Sequence, residues 1–365
     1  MAKQTLEGFA DQRDIEVHAE NQAIARKNRV LHGELTTLAD RVAGSEAENA
    51  ALEKELGLYQ RKYNDRPKWL APAKKTVENH GTLLAFLSDT HYGETIGLAE
   101  MGGYNKYNLA IAEMRTREFF ERTVRLARDY FAGVKYDGIV LAIGGDLVSG
   151  DIHDELQQSN EKSTLDTTVW AIPRLYAGIE MWRKEFGAVH VVSAPGNHGR
   201  DDKVPRYKGR SAHNADSHIV KIVAMQFEGS GDVTFEIPES LDSTFSIGQW
   251  NFGLEHGDEL SKNFSGSAEI GWLGPLIRGT NRKVNAYAAE GKRLDYCLWG
   301  HGHQLIPVPS RGVIGNGSIC GYNEFARGRK FRPEPPLQSL MLVDPVHGVT
   351  IPAPVRVQNR TAEGW

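Results

Sequence analysis

The chain has 365 residues, of which 40% are hydrophobic and 25% charged, with a net charge of -4. That length holds one large domain plus an appendage, and a chain so near neutrality is not a polycation that coats nucleic acid. Its two cysteines, Cys297 and Cys320, read as reduced thiols rather than a disulfide scaffold. No apolar segment follows Met1-Ala2-Lys3-Gln4 and no run approaches the ~18 residues of a membrane span. A cytoplasmic protein without a membrane partner is expected.

In chain order, residues 14–63 carry no proline and are rich in Glu, Lys, Arg, Ala and Leu. Ile24, Asn28, Leu31, Leu35, Leu38, Val42, Ser45, Asn49, Leu52, Leu56, Tyr59 and Tyr63 recur in steps of four and three, a heptad seam of the coiled-coil type. With Leu31, Leu38 and Leu52 at d, both Asn28 and Asn49 fall at a. Buried asparagine there favours an in-register parallel pair, so a homodimer through this helix is expected. Pro67 and its neighbours stop the helix. Residues 64–75 read as a linker, and residues 76–357 as the main domain.

Within that domain, Thr82–Leu87, Tyr136–Ile143, Val189–Ser193 and Leu294–Trp299 are short apolar runs that read as buried strands. Helical spacing fills Tyr107–Ala132, Glu161–Phe186, with a kink at Pro173, and His213–Phe227. Val233–Ile237 and Thr244–Leu254 alternate as strands. Ile270–Glu290 reads as helix broken at Gly279-Thr280-Asn281, and residues 306–357 as β structure. Strand–helix alternation followed by β-rich sequence gives α/β layers.

The chemistry sits where the buried runs end. Ser88-Asp89-Thr90-His91, Gly144-Gly145-Asp146, Gly196-Asn197-His198, Glu255-His256-Gly257 and Gly300-His301-Gly302-His303 each follow an apolar run. Open α/β sheets place ligands just past such carboxyl ends. Carboxylate, imidazole and amide oxygen together suit manganese, iron or zinc better than calcium, which prefers all-oxygen sites.

These ordered motifs resemble the calcineurin-like metallophosphoesterase superfamily over Leu83–Tyr322, closest to its DNA repair exonuclease branch. The resemblance implies a four-layer α/β/β/α metallophosphoesterase sandwich, here preceded by the N-terminal coiled-coil helix, and two divalent metal ions, with Mn2+ expected first and Fe, Zn or Mg as alternatives. It implies that Asp89, His91 and His303 bind one metal, that Asn197, His256 and His301 bind the other, and that Asp146 bridges both. His198 matches the catalytic histidine. Many relatives carry an acidic residue directly after the Asn-His pair. Here Gly199-Arg200 follows, so Asp201, Asp202 or a residue elsewhere must orient His198. His153 follows Asp146 at longer spacing than the second mechanistic histidine of the exonuclease branch, and is read either as catalytic or as a loop histidine.

Arg200, Lys203 and Arg206 stand beside His198 in a basic loop read as a substrate grip, with Arg327, Arg329, Lys330 and Arg332 as a second. Basic residues interleaved with aromatics can track a phosphodiester backbone. The expected activity is metal-dependent hydrolysis of phosphate esters by an activated water, foremost a phosphodiesterase or nuclease acting on DNA. The alternatives are a phosphomonoesterase or nucleotide or protein phosphatase, and a non-catalytic coiled-coil scaffold. Protein phosphatases usually carry an arginine soon after the bridging aspartate, and Leu147-Val148-Ser149-Gly150 offers none.

Overall fold

The computed structural model describes residues 3–64, 79–261 and 271–365, with side chains from 13–56, 79–260 and 271–365. The chain divides into two compact units, Met1–Thr76 and Val77–Trp365. The first consists, among its described residues, of one helix, α1 (Lys3–Asn64). Its seam is solvent-facing along its described length: Leu31, Leu35, Leu38, Val42, Leu52 and Leu56 are all exposed. Most of the expected linker lies outside the described residues.

The second unit runs β1 (Asn79–Leu87), α2 (Leu109–Arg125) with a π-helical turn at Leu126–Tyr130, β2 (Val134–Ile143), α3 (Asp154–Ser159), α4 (Thr164–Phe186), β3 (Val189–Ser193), α5 (Ala215–Gln226), β4 (Val233–Glu236), β5 (Asp242–Ile247), β6 (Trp250–Glu255), α6 (Asp258–Ser261), α7 (Leu273–Ala289), β7 (Tyr296–Trp299), β8 (Ile306–Val308), a 3-10 turn at Pro309–Arg311, β9 (Val313–Gly315), α8 (Glu324–Gly328), β10 (Leu337–Asp344), β11 (Gly348–Arg356) and α9 (Arg360–Glu363).

Two sheets result, a six-stranded one ordered β11-β10-β1-β2-β3-β4 and a five-stranded one ordered β5-β6-β7-β9-β8. Strands β1 to β4 pair in parallel, as do β6, β7 and β9. Period-two alternation sorts the first sheet's residues into two cores. Leu83, Ala85, Leu87, Ile139, Leu141 and Val191 face α2, α4 and α5. Leu84, Phe86, Val140, Ala142 and Val192 face Phe252, Leu254, Leu298 and Ile314 of the second sheet. On the far side of that sheet, Cys297, Trp299 and Val313 pack against Leu276 of α7. The layers are therefore α/β/β/α, and β1 is continuously apolar from Leu83 to Leu87 because both its faces are buried there.

One local expectation is corrected. Helix α7 runs unbroken through Gly279. A Cβ there would lie 2.4 Å from Leu260 Cδ2, so this glycine serves close packing against α6 rather than a break. Helix α4 carries Pro173 in its interior, as the sequence reading has it. The compact unit also extends beyond residue 357, because Glu363 of α9 is buried and pairs with Arg115 of α2.

Candidate metal centre

All the expected ligands sit past strand ends: Asp89 and His91 after β1, Asp146 after β2, Asn197 after β3, His256 after β6, His301 and His303 after β7. The loops approach backbone to backbone. A Cβ on Gly145, whose φ is +83°, would lie 2.3 Å from Gly196 N, so only glycine fits between the Asp146 and Asn197 loops. Asp89, His91, Asp146, His301 and His303 all hold φ between 45° and 62°, in the left-handed region that side-chain-bearing residues avoid. Such conformations cost on the order of 1–3 kcal/mol and cluster at functional sites.

The side chains converge on two poles that share Asp146. At the second pole, His256 Nδ1 donates to Gly144 O at 2.7 Å, which fixes its tautomer. Its Nε2 then faces Asp146 Oδ2 and Asn197 Oδ1, each at 3.0 Å, and His301 Nδ1 at 3.2 Å. These are lone pairs aimed at one another. Nε2 must carry a second proton or the group must share a cation. In the metal-free chain burial disfavours the charged ring, but the Asp146 carboxylate prevails and lifts His256 to about 10. His301 falls to about 4, through burial and the neighbouring His256 charge.

At the first pole His91 Nε2 lies 3.2 Å from His303 Nε2 and 3.9 Å from Asp146 Oδ2, and His303 Nε2 lies 3.3 Å from Asp89 Oδ1. Cys320 joins His91 and His303 there, with ligand atoms all within 4.8 Å of one another, as Asp146, His256 and His301 do at the second pole. Burial opposes ionisation of Asp89, yet the His303 contact outweighs it and holds that carboxyl below its ordinary range. This donor set fits a pair of divalent cations, with Asp89, His91 and His303 at one pole, Asn197, His256 and His301 at the other, and Asp146 between.

His198 lies beside the first pole, its ring nitrogen within 4.8 Å of ligand atoms of His91 and Asp146. Its backbone N–H donates to Asp146 Oδ1 at 2.7 Å, and its ring stands edge-on to His91 at 4.6 Å between centroids. Ser149 O, 2.7 Å away, accepts from its Nδ1 and leaves Nε2 as the basic nitrogen. The orienting partner is thus a backbone carbonyl. Asp201 pairs with His213 and Asp202 with Arg206. An acidic residue at 199 has no room, since a Cβ there would lie 2.6 Å from Asn214 Oδ1 and 3.0 Å from Asp216.

Asp216 occupies that space instead. Its carboxylate accepts from the amides of Asp146, Leu147 and Gly196 at 2.9–3.0 Å and braces both loops. Burial, then the Asp146 charge, pushes it up to about 6. His153 is exposed, with its ring 5.8 Å from that of His198, so it borders the site without entering either pole.

The expected basic grip is differently employed. Arg200 donates to the carbonyls of Asp202, Asn197 and Lys203 and ties its own loop together. Lys203 pairs with Asp154, Arg206 with Asp202, and the buried Arg210 with Asp258. Arg327 donates to Met101 O. Residues that the sequence reading passed over include Asp216, Ser149, Cys320 and Glu94. Only Glu94, three residues after His91, had a local signal, and Asn323 donates to its carboxylate at 3.0 Å.

No protein-family model matches the chain, and no curated protein matches it. Among solved structures, Vacuolar Protein Sorting 29 from Cryptosporidium parvum aligns over 72% of this chain and 86% of its own, with 17% identity and a TM-score of 0.30. A predicted phosphoesterase from Streptococcus pneumoniae aligns over 75% and 97%, with 13% identity and a TM-score of 0.24. A dimetal phosphatase from Danio rerio aligns over 76% and 99%, with 10% identity and a TM-score of 0.34. Each likeness is distant, and the roles of residues here rest on the geometry above. The sandwich with its ligand set gathered at strand ends is the architecture implied by the resemblance to calcineurin-like metallophosphoesterases.

Proposed function

We propose that the chain is a dinuclear-metal-dependent phosphoesterase, with phosphodiesters as its substrate class. The observation that carries the reading is Asp146, whose carboxylate is shared by two clusters of converging lone pairs. Two divalent cations, when bound, supply water activation and charge neutralisation for in-line displacement at phosphorus. The protein's own part is to hold seven donors in fixed positions, five of them on left-handed backbone, and to present His198, which gives its Nε2 proton to the leaving oxygen when the ring is doubly protonated. Ser149 O fixes that role by consuming the other ring proton.

The diester preference follows from charge. A monoester dianion calls for added cationic grip, and Arg200 and Arg210, which flank Asn197, are both committed to other partners. The narrower reading, a nuclease acting on DNA, has less support, since the Arg200–Arg206 loop is knitted to its own carbonyls and carboxylates. The same proposal includes self-association through the exposed seam of α1. Among the described residues no helix is long and apolar enough to cross a membrane.

The test is a substrate panel with added manganese or zinc: a bis-aryl phosphodiester, an aryl phosphomonoester, and labelled single- and double-stranded DNA. Diester turnover is expected, abolished by Asp146→Asn and reduced about 10²–10⁴-fold by His198→Ala with metal content unchanged. A metal-loaded chain that hydrolyses no phosphate ester refutes the proposal, and full activity in Asp146→Asn refutes the bridging role.

A further inference from the structure

We infer that Cys320 is a ligand of the first pole and tunes it to a soft cation, zinc or cobalt in preference to manganese; the inference rests on the metal-centre reading above. Ligands that share one such cation at bond lengths of 2.0–2.3 Å lie about 3–4.6 Å apart. The Cys320 Sγ falls within 4.8 Å of ligand nitrogens of His91 and His303, and its thiol donates to Gly321 O at 3.6 Å.

The chain holds this thiol in place from several sides. Cys320 O accepts from Asn105 Nδ2 at 2.8 Å and Arg115 Nη1 at 3.0 Å, and Arg115 Nη1 also reaches Ile319 O at 3.1 Å. Ile319 N donates to Asp89 O at 3.1 Å, tying the thiol's loop to the first ligand motif. Cys297 makes the contrast: it is a core filler among Leu276, Trp299 and Val313.

A second observation points to a cation at this pole. His91 Nδ1 and Glu94 Oε2 are buried without hydrogen-bond partners and face each other at 3.7 Å. His91 and Glu94 are only 4% and 6% exposed. When Nε2 gives its lone pair to a cation, Nδ1 must carry the ring proton, and Glu94 Oε2 is the acceptor facing it, the carboxylate–histidine–metal pattern that orients metal ligands. Thiolate sulfur favours zinc and related soft ions, whereas carboxylate and water suit manganese. The second pole offers only nitrogen and oxygen, so the two poles differ in kind. Ligation consumes the thiolate, and cation uptake releases the Sγ proton to solvent.

The experiment titrates the metal-free, full-length chain with Co2+, counting bound cobalt by equilibrium dialysis and reading the near-ultraviolet sulfur-to-cobalt charge-transfer band. The band is expected in the parent chain and in Cys297→Ser, and absent in Cys320→Ser. Zinc affinity of Cys320→Ser should fall about 10–100-fold, with manganese affinity less affected. If Cys320→Ser does not fold, Cys297→Ser still decides the matter, because Cys320 is then the remaining cysteine. Cobalt bound without a sulfur band overturns this inference and leaves the metal centre standing. Failure of the parent chain to bind cobalt overturns both.

Discussion

Replacing Glu363 by alanine tests how the C-terminal turn supports the site. Arg115 and Glu363 have side chains 0% and 1% exposed. They pair through two bonds, Nε to Oε1 at 3.0 Å and Nη2 to Oε2 at 2.9 Å. Glu363→Ala strands the Arg115 guanidinium in the core with neutral acceptors only: Ile319 O, Cys320 O, Asn105 Oδ1 and Lys106 O. An uncompensated buried charge costs about 3–5 kcal/mol. At roughly 2 °C per kcal/mol for a domain of this size, Tm falls by about 6–10 °C. Glu363→Gln, which keeps the shape and some of the bonding, should fall between the two. Thermal unfolding followed by circular dichroism measures this, and a double-mutant cycle with Arg115→Ala isolates the coupling. Because Arg115 also clamps the Ile319–Cys320 carbonyls, metal affinity should weaken in parallel. A loss below about 1 kcal/mol, or additive single and double variants, would refute the reasoning.

Gly199→Asp should destabilise the chain by about 1–3 kcal/mol and abolish turnover, since its Cβ meets Asn214 Oδ1 at 2.6 Å and its charge meets Asp216; an unchanged urea midpoint counts against the steric account. Asp242 is raised by burial but lowered further by Lys283, so its folded pKa lies below the ordinary 3.8. Its contribution is therefore present above the ordinary value and lost as pH falls through the lower folded value, and the urea-stability gap between the parent chain and Asp242→Asn should narrow as pH is lowered below 3.8; a gap constant with pH contradicts this. Leu38→Glu with Leu52→Glu in the full-length chain should lower the mass measured by light scattering about twofold, from dimer to monomer; a parent chain that is already monomeric removes the α1 proposal.

The layers and the gathering of the candidate ligands were legible because each rests on a local pattern: an apolar run of strand length, then a short polar signature. Asp89, Asp146 and His256 needed no knowledge of their neighbours. Asp216 did, for its role appears only when α5 brings it under the Asp146 and Gly196 amides. The same holds for Arg115 and Glu363, partners at opposite ends of the domain. Gly279 looked like a helix break because a sequence shows a missing side chain but not the Leu260 that needs the space. The loop after His198 was legible only in part. Its charges were visible, but the carbonyls that Arg200 folds back upon were not.

The left-handed backbone at His91 and His303 carries an evolutionary consequence. Glycine at either position would relax the turn at no conformational penalty, so drift toward sturdier sequences would erode these imidazoles first. Copies that had traded hydrolysis for a purely architectural job should then unfold at higher temperature than their active cousins and carry glycine where His91 and His303 now stand.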